Sequence, residues 1–254
     1  MTLDQLLEQH SSVALQFSGG RDSLAMLLFL RPYWDRVTVY YCNSGDAFPE
    51  TLGLVHAVAK VAPRFVEIAG RVNEVRAKHG WCSDVLQAGA TWAYPSDLPS
   101  HLKLIDRHDC CRMAIMEPLH EQMQRDGVTL LLRGQRMEDT TKSSVQSGET
   151  VDGFTIFYPI NDWTTAEVDA YIEAQGIPLP PYYTEGMTSA PDCMHCTAWL
   201  EHGSSSYLAK HHPEVARTVN DRLRQIKVAV QPMLSGLDKA LKDLEAVSPA
   251  APNV

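Results

Sequence analysis

Two groups of residues in this 254-residue chain have types and spacings that can do chemistry. The first is Ser18-Gly19-Gly20-Arg21-Asp22-Ser23, which follows the apolar run Val13 to Phe17 and precedes a strongly apolar helical pattern. Adjacent glycines let a backbone turn tightly and bring its N–H groups against a ligand. A helix starting near Asp22 aims its unsatisfied N–H groups and positive dipole end at the same point, which suits a phosphate. Ser18 and Ser23 add hydroxyl donors, and Asp22 can hold a Mg²⁺ that bridges phosphate oxygens. The plainer reading is an ordinary strand-to-helix turn. The second group is the cysteines: Cys110-Cys111, then 81 residues, then Cys193-Met194-His195-Cys196, with Cys42 and Cys82 outside that pattern. Thiolates are the standard ligands of iron–sulfur clusters, and neighbouring cysteines reach two irons of a cluster more easily than one tetrahedral zinc. The readings, in order, are a cluster, a zinc site, and free thiols or a disulfide; His195 reads as a loop residue rather than a ligand.

These groups need a scaffold, and the chain supplies an alternation of strands and helices. Residues 2–10 read as a helix leading into the strand Val13 to Phe17, and Val37 to Cys42 is a second strand. Pro49 suits the first turn of a helix running to about Val61, and Arg64 to Ile68 is a third strand. Gly80 to Asp109 carries Trp81, Trp92, Tyr94, Pro95 and Pro99 without a period, and reads as a functional loop. Cys110-Cys111 opens a helix to about Asp126, and Val128 to Arg133 is a fourth strand. Residues 137–153 read as an active-site loop and Phe154 to Ile160 as a fifth strand or extended segment. Thr164-x-x-Glu167 is a capping box, and Gly176 closes the helix it starts. This order predicts an α/β fold: a mostly parallel five-stranded sheet with helices on both faces and a ligand beyond the strands' carboxyl ends, where Ser18 and Asn43 fall.

Beyond Trp199 the pattern is helical. Val215, Val219, Leu223, Ile226 and Val230 form an apolar stripe, while Arg217, Arg222, Arg224 and Lys227 read as a solvated face, with phosphate or partner binding as the second reading. The expected division is a nucleotide domain over 1–200 and a helical extension over 201–254, ending in a short tail from Ser248 to Val254.

Composition bounds the function. A net charge of −9 works against non-specific nucleic-acid binding. No export signal or membrane-spanning run is visible, so six cysteines point to metal or redox use in the cytoplasm rather than to a disulfide framework. A homo-oligomer is expected.

The loop Ser18 to Ser23 resembles the pyrophosphate-binding loop of the N-type ATP pyrophosphatases, the superfamily that includes the phosphoadenosine-phosphosulfate (PAPS) reductases. Asn43-Ser-Gly-Asp-Ala-Phe-Pro-Glu-Thr51 resembles the family's segment after its second strand, Gly134-Gln-Arg136 its Gly-x-Arg, and Asn161-Asp-Trp-Thr164 its Asp-Trp-Thr. The cysteine pattern is similar to the [4Fe-4S] site of adenylyl-sulfate reductases and of DNA phosphorothioation enzymes. The resemblance implies that Ser18, Gly19, Gly20, Arg21, Asp22, Ser23, Ser44, Gly45, Gly134 and Arg136 contact an adenine nucleotide. It implies that Cys110, Cys111, Cys193 and Cys196 hold a cluster. The chain departs from the sulfonucleotide reductases in two ways: no cysteine follows Cys196, where they carry a tail thiol, and the phosphate loop is intact.

Both departures favour ATP cleavage between the α- and β-phosphates, with adenylation of an acceptor for sulfur transfer. Asp22 would anchor Mg²⁺, Arg136 would stabilise charge at the α-phosphate, and Cys42 is the candidate nucleophile or persulfide carrier. The implied partners are a sulfur donor such as a cysteine desulfurase and a nucleic-acid acceptor brought by another protein. The alternatives are reduction of APS or PAPS, with the missing thiol supplied in trans or by Cys42 or Cys82, and a nucleotide-binding accessory subunit.

Overall fold

In chain order the elements are α1 (Leu3–Gln9), β1 (Val13–Gln16), α2 (Arg21–Phe29), β2 (Val37–Asn43), α3 (Pro49–Val61), β3 (Phe65–Ala69), α4 (Val72–His79), β4 (Trp81–Ser83) and β5 (Leu104–Asp106). Then follow α5 (Arg107–Cys111), α6 (Glu117–Arg125), β6 (Leu130–Leu132), β7 (Thr150–Val151), β8 (Phe154–Phe157), α7 (Thr165–Ala174), α8 (Ser204–His211) and α9 (Pro213–Val247). They come from a computed structural model that describes residues 2–85, 102–139, 145–189 and 191–247. Trp92, Tyr94, Pro95, Pro99, part of the 137–153 segment and the tail from Ser248 lie outside the described residues.

The main sheet runs β3-β2-β1-β6-β8-β7. Every neighbouring pair is parallel except β7 and β8. Successive strand residues point to opposite faces, and here both faces are covered, so the central strands are mostly apolar. Val13, Leu15, Val39, Tyr41, Leu130 and Leu132 enter one core with α1, α2, α3 and α7. Ala14, Tyr40, Cys42, Leu131 and Ile156 enter the other with α4, α5 and α6. That second core also holds Cys82, Cys110, Cys193 and Cys196, which sets the cysteines against one face of the sheet.

Among the described residues the sheet has six strands where the sequence predicts five. The extra strand, β7, lies in the segment read as a loop. Asp152 and Gly153 both have positive φ, at 53° and 88°, which lets a two-residue turn fold Thr150-Val151 back onto β8. Two short strands likewise arise within the stretch read as aperiodic. β4 and β5 pair in parallel, and Gly80 permits this: a Cβ there would sit 1.8 Å from the Lys103 carbonyl oxygen.

The predicted helix at Cys110 begins earlier, at Arg107, because the buried Asp106 carboxylate accepts from the N–H groups of His108 and Asp109. A π-turn over Arg112–Met116 joins α5 to α6. The capping box at Thr164 is formed as read. Val219, Ile226 and Val230 of α9 are buried, with Val215 and Leu223 beside them. Ile226 and Ala229 pack on Leu104 and Trp81, whereas Leu234, Leu237, Leu241 and Leu244 are exposed. Among the described residues no helix is long and apolar enough to cross a membrane.

Candidate functional site

The loop between β1 and α2 is built as its composition demands. Gly19 has φ +76°, and a Cβ there would meet Thr51 Cγ2 at 2.7 Å, so the loop lies directly on α3. Ser18 and Ser23 link their hydroxyls at 3.1 Å, Ser18 Oγ accepts from the Gly20 N–H, and Ser23 donates to the Gly20 carbonyl at 2.9 Å. The Arg21 N–H donates to the Tyr183 hydroxyl at 2.9 Å, and the Arg21 guanidinium lies over the same ring and reaches Asp169 at 3.4 Å. Tyr183 thus occupies one of the N–H groups at the helix start.

Asp22 and Arg136 meet. Arg136 Nε is 2.9 Å from Asp22 Oδ1, and Gly134 passes close to the Asp22 backbone. Burial raises the Asp22 carboxyl above its usual range, with Arg136 and Arg21 opposing the shift. Arg136 is 3 % exposed and has further partners in Glu138, Asp139, the Trp163 carbonyl and Thr165. The loop and the Gly-x-Arg segment therefore form one polar network at the carboxyl end of β1 and β6.

The segment after β2 joins this region to the cysteines. Ser44 Oγ donates to the Asp192 carbonyl at 2.6 Å, and the Met194 N–H donates to the Asp46 carbonyl at 2.6 Å. The Asp46 carboxylate receives the His195 N–H at 3.2 Å, His195 Nδ1 at 2.6 Å and Arg76 Nη1 at 2.6 Å. His195 is turned to Asp46. Gly45 lies in the same turn, its N–H on Asn43 Oδ1.

Cys82 joins the predicted cysteines. Its Sγ is 3.5 Å from Cys196 Sγ, and Thr197 donates to the Cys82 carbonyl at 2.5 Å. All six cysteines are free thiols. Hydrogen bonds from Cys110 and Cys196 hold Cys82 well below the ordinary thiol range, and Cys110 rises correspondingly. Burial, with the Asp192 carboxylate adding, pushes the Cys42 thiol up to about 12, so at neutral pH Cys42 is a buried thiol facing the second core. Among the described residues no group of three or more potential ligands stands at metal-holding geometry. The donor set nevertheless matches a thiophilic centre: several unbridged thiols from separate segments share one apolar core, with Cys111 on the adjoining helix end.

Sequence reasoning missed Arg76 and Tyr183, placed Asp46 only within the segment after the second strand, and held Cys82 and Arg222 as second readings, an alternative thiol and a phosphate- or partner-binding arginine. Cys82 belongs to no spacing motif, and Arg222 sits on a helix face that reads as solvated; its guanidinium carbon lies 3.3 Å from the Trp81 ring centroid. Arg217, Arg224 and Lys227 are exposed or nearly so, as that reading expects.

Residues 12–199 match the phosphoadenosine phosphosulfate reductase domain. The chain belongs to this family. It is 24 % identical over 212 residues to an adenosine 5'-phosphosulfate reductase of Burkholderia cepacia, covering 80 % of this chain and 77 % of the relative. It is 26 % identical over 191 residues to a phosphoadenosine 5'-phosphosulfate reductase of Gloeobacter violaceus, covering 73 % and 71 %. The fold resembles that of the PAPS reductase of Candida auris, with a TM-score of 0.54, 19 % identity, and coverage of 75 % of this chain and 85 % of the other. α8 and α9 lie beyond the matched domain.

Proposed function

We propose that the chain reduces an adenine sulfonucleotide, APS or PAPS. The observation that carries this reading is the fifth thiol of the patch, Cys82 against Cys196, in a chain of this family. The nucleotide would lie at the carboxyl ends of β1 and β2, with Ser18 to Ser23, Ser44, Gly45, Gly134 and Arg136 about its anionic groups. Cys110, Cys111, Cys193 and Cys196 would hold a [4Fe-4S] cluster, which when bound supplies a redox-capable group and a cross-link between segments.

The Cys82 thiolate would attack the sulfonate sulfur. The sulfur–oxygen bond breaks, AMP from APS or adenosine 3',5'-bisphosphate from PAPS leaves with the electron pair, and an S-sulfocysteine remains. A thiol of an external dithiol then attacks the Cys82 sulfur and expels sulfite. The second thiol closes the donor's disulfide and returns Cys82 to its thiol, so the donor supplies both electrons. Arg76 lies where its charge favours the thiolate of Cys82.

The test uses anaerobically prepared protein with APS or PAPS and a dithiol donor. Sulfite should form, and Cys82→Ser should abolish it while nucleotide binding is retained. Sulfite release unchanged in that variant would move the nucleophile elsewhere.

The intact Ser18 to Ser23 loop supports a second reading, cleavage of ATP to AMP and pyrophosphate with Asp22 anchoring Mg²⁺. On that reading ATP with Mg²⁺ yields pyrophosphate and no sulfite forms from APS. Asp22→Ala then abolishes pyrophosphate release.

A further inference from the structure

A cavity of about 420 Å³ opens beside the cysteine patch, lined among others by Asp46, Asn73, Arg76, Trp81, His195 and Arg222. Its walls come from the turn after β2, from α4, from the start of β4, from the Cys193–Cys196 segment and from α9. Its volume falls within the range of small-ligand sites.

The walls leave positive charge and donors unmatched. Two guanidiniums face one carboxylate, that of Asp46, and Asp46 already receives Arg76 Nη1 and two nitrogens of His195. Arg222 stacks on Trp81, with its guanidinium carbon 3.3 Å from the ring centroid, and Arg76 lies 5.6 Å from the same ring. Among the described residues, the buried atoms Arg222 Nη1 and Arg76 Nε have no hydrogen-bond partner. Burying a guanidinium with an unmade hydrogen bond is costly, and a bound acceptor removes that cost. A planar fork of N–H donors matches the edge of a tetrahedral oxyanion, and a stacked indole holds the fork in place.

We propose that this cavity binds a small tetrahedral oxyanion of the sulfate or phosphate class between Arg76 and Arg222. Arg222 lies outside the matched family domain, so α9 contributes a ligand-binding side chain of its own. Its anchoring fits this role, since Ile226 and Ala229, about one and two turns away, fix the helix to Leu104 and Trp81. The cavity lining shares Gly45 with the proposed nucleotide site but no residue with the Ser18 to Ser23 loop, and oxyanion binding there requires neither a cluster nor nucleotide turnover.

The experiment measures binding of sodium sulfate, and separately phosphate, to the full chain by calorimetry and by thermal shift against sodium chloride of equal ionic strength. One sulfate per chain should bind and raise the melting temperature. Arg222→Gln should weaken binding by about tenfold to a hundredfold, the loss of one charge-assisted hydrogen-bonding partner, with unchanged far-ultraviolet dichroism. Asn73→Asp, on the exposed side of α4, places a carboxylate in the cavity and should do the same without touching the core. AMP and sulfate titrated together then separate the sources: competition assigns the anionic end of a nucleotide, and independent binding assigns a free oxyanion. Equal sulfate affinity in wild type and both variants, or stabilisation no greater than by chloride, would overturn the proposal.

Discussion

Gly19 and Gly45 make a matched pair of single-residue tests. Both have left-handed φ, +76° and +78°, but a Cβ on Gly19 meets Thr51 Cγ2 at 2.7 Å whereas one on Gly45 meets nothing within 4 Å. Gly45→Ala should therefore cost only the backbone penalty of about 1–2 kcal/mol. Gly19→Ala should cost that and the displacement of α3 from the loop. Urea midpoints at unchanged m-value measure both, and equal losses would refute the contact with Thr51. The two glycines were legible as turn residues because type alone signals φ freedom. The contact was not legible, since Gly19 and Thr51 come together only when α3 packs beside the loop. Cys82 illustrates the same limit: its type was visible, but its nearness to Cys196 arises from β4, whose placement no local pattern announced.

At the level of elements, the C-terminal helices are held to α3 by a buried cluster and one polar node. Phe48 packs with Tyr182, Tyr207 and Leu208. Glu50 accepts from the Tyr207 hydroxyl at 2.8 Å and lies 3.0 Å from His212 Nε2. Burial raises the Glu50 carboxyl, but its own backbone N–H, Tyr207 and His212 outweigh that and leave it below the ordinary 4.5. A carboxyl lowered on folding adds stability that is present above its unfolded value and lost as pH falls through its folded value. Glu50→Gln should thus be less stable than wild type at neutral pH, and the gap should close below pH 4.5. Urea midpoints across that range check it; a gap independent of pH would show that the ionised form contributes nothing. α7 was readable in advance because its capping box is local. β7 was not, because a two-residue exposed strand exists only by pairing with β8.

For the whole molecule, the decisive feature is that the thiols of Cys82, Cys110 and the Cys193–Cys196 segment, distant in sequence, share one core beneath the sheet. A metal centre held there ties those segments together, and binding free energy at such a site is also folding free energy. Anaerobically prepared protein should contain about four irons per chain. Cys110→Ser and Cys193→Ser should each lose the iron, and chelation should lower the melting temperature of wild type towards that of the variants. Stoichiometric zinc in colourless protein would exclude the iron reading.

The amino-acid sequence by itself determined the alternation of strands and helices, the phosphate-type loop, the Gly-x-Arg segment and the four paired cysteines. Each of these rests on neighbours within a turn, a strand or a helix, where residue type and period act directly. The tertiary structure alone decided which side chains meet across the chain: Asp22 with Arg136, Asp46 with Arg76 and His195, Cys82 with Cys196, and Arg222 with Trp81. Those meetings depend on sheet order and on where α9 comes to rest, and both are set by burial of apolar faces between elements far apart in sequence. Charge on a helix face looks the same in sequence whether it meets water or a cavity; only the packing of Ile226 and Ala229 against Leu104 and Trp81 turned Arg222 inward.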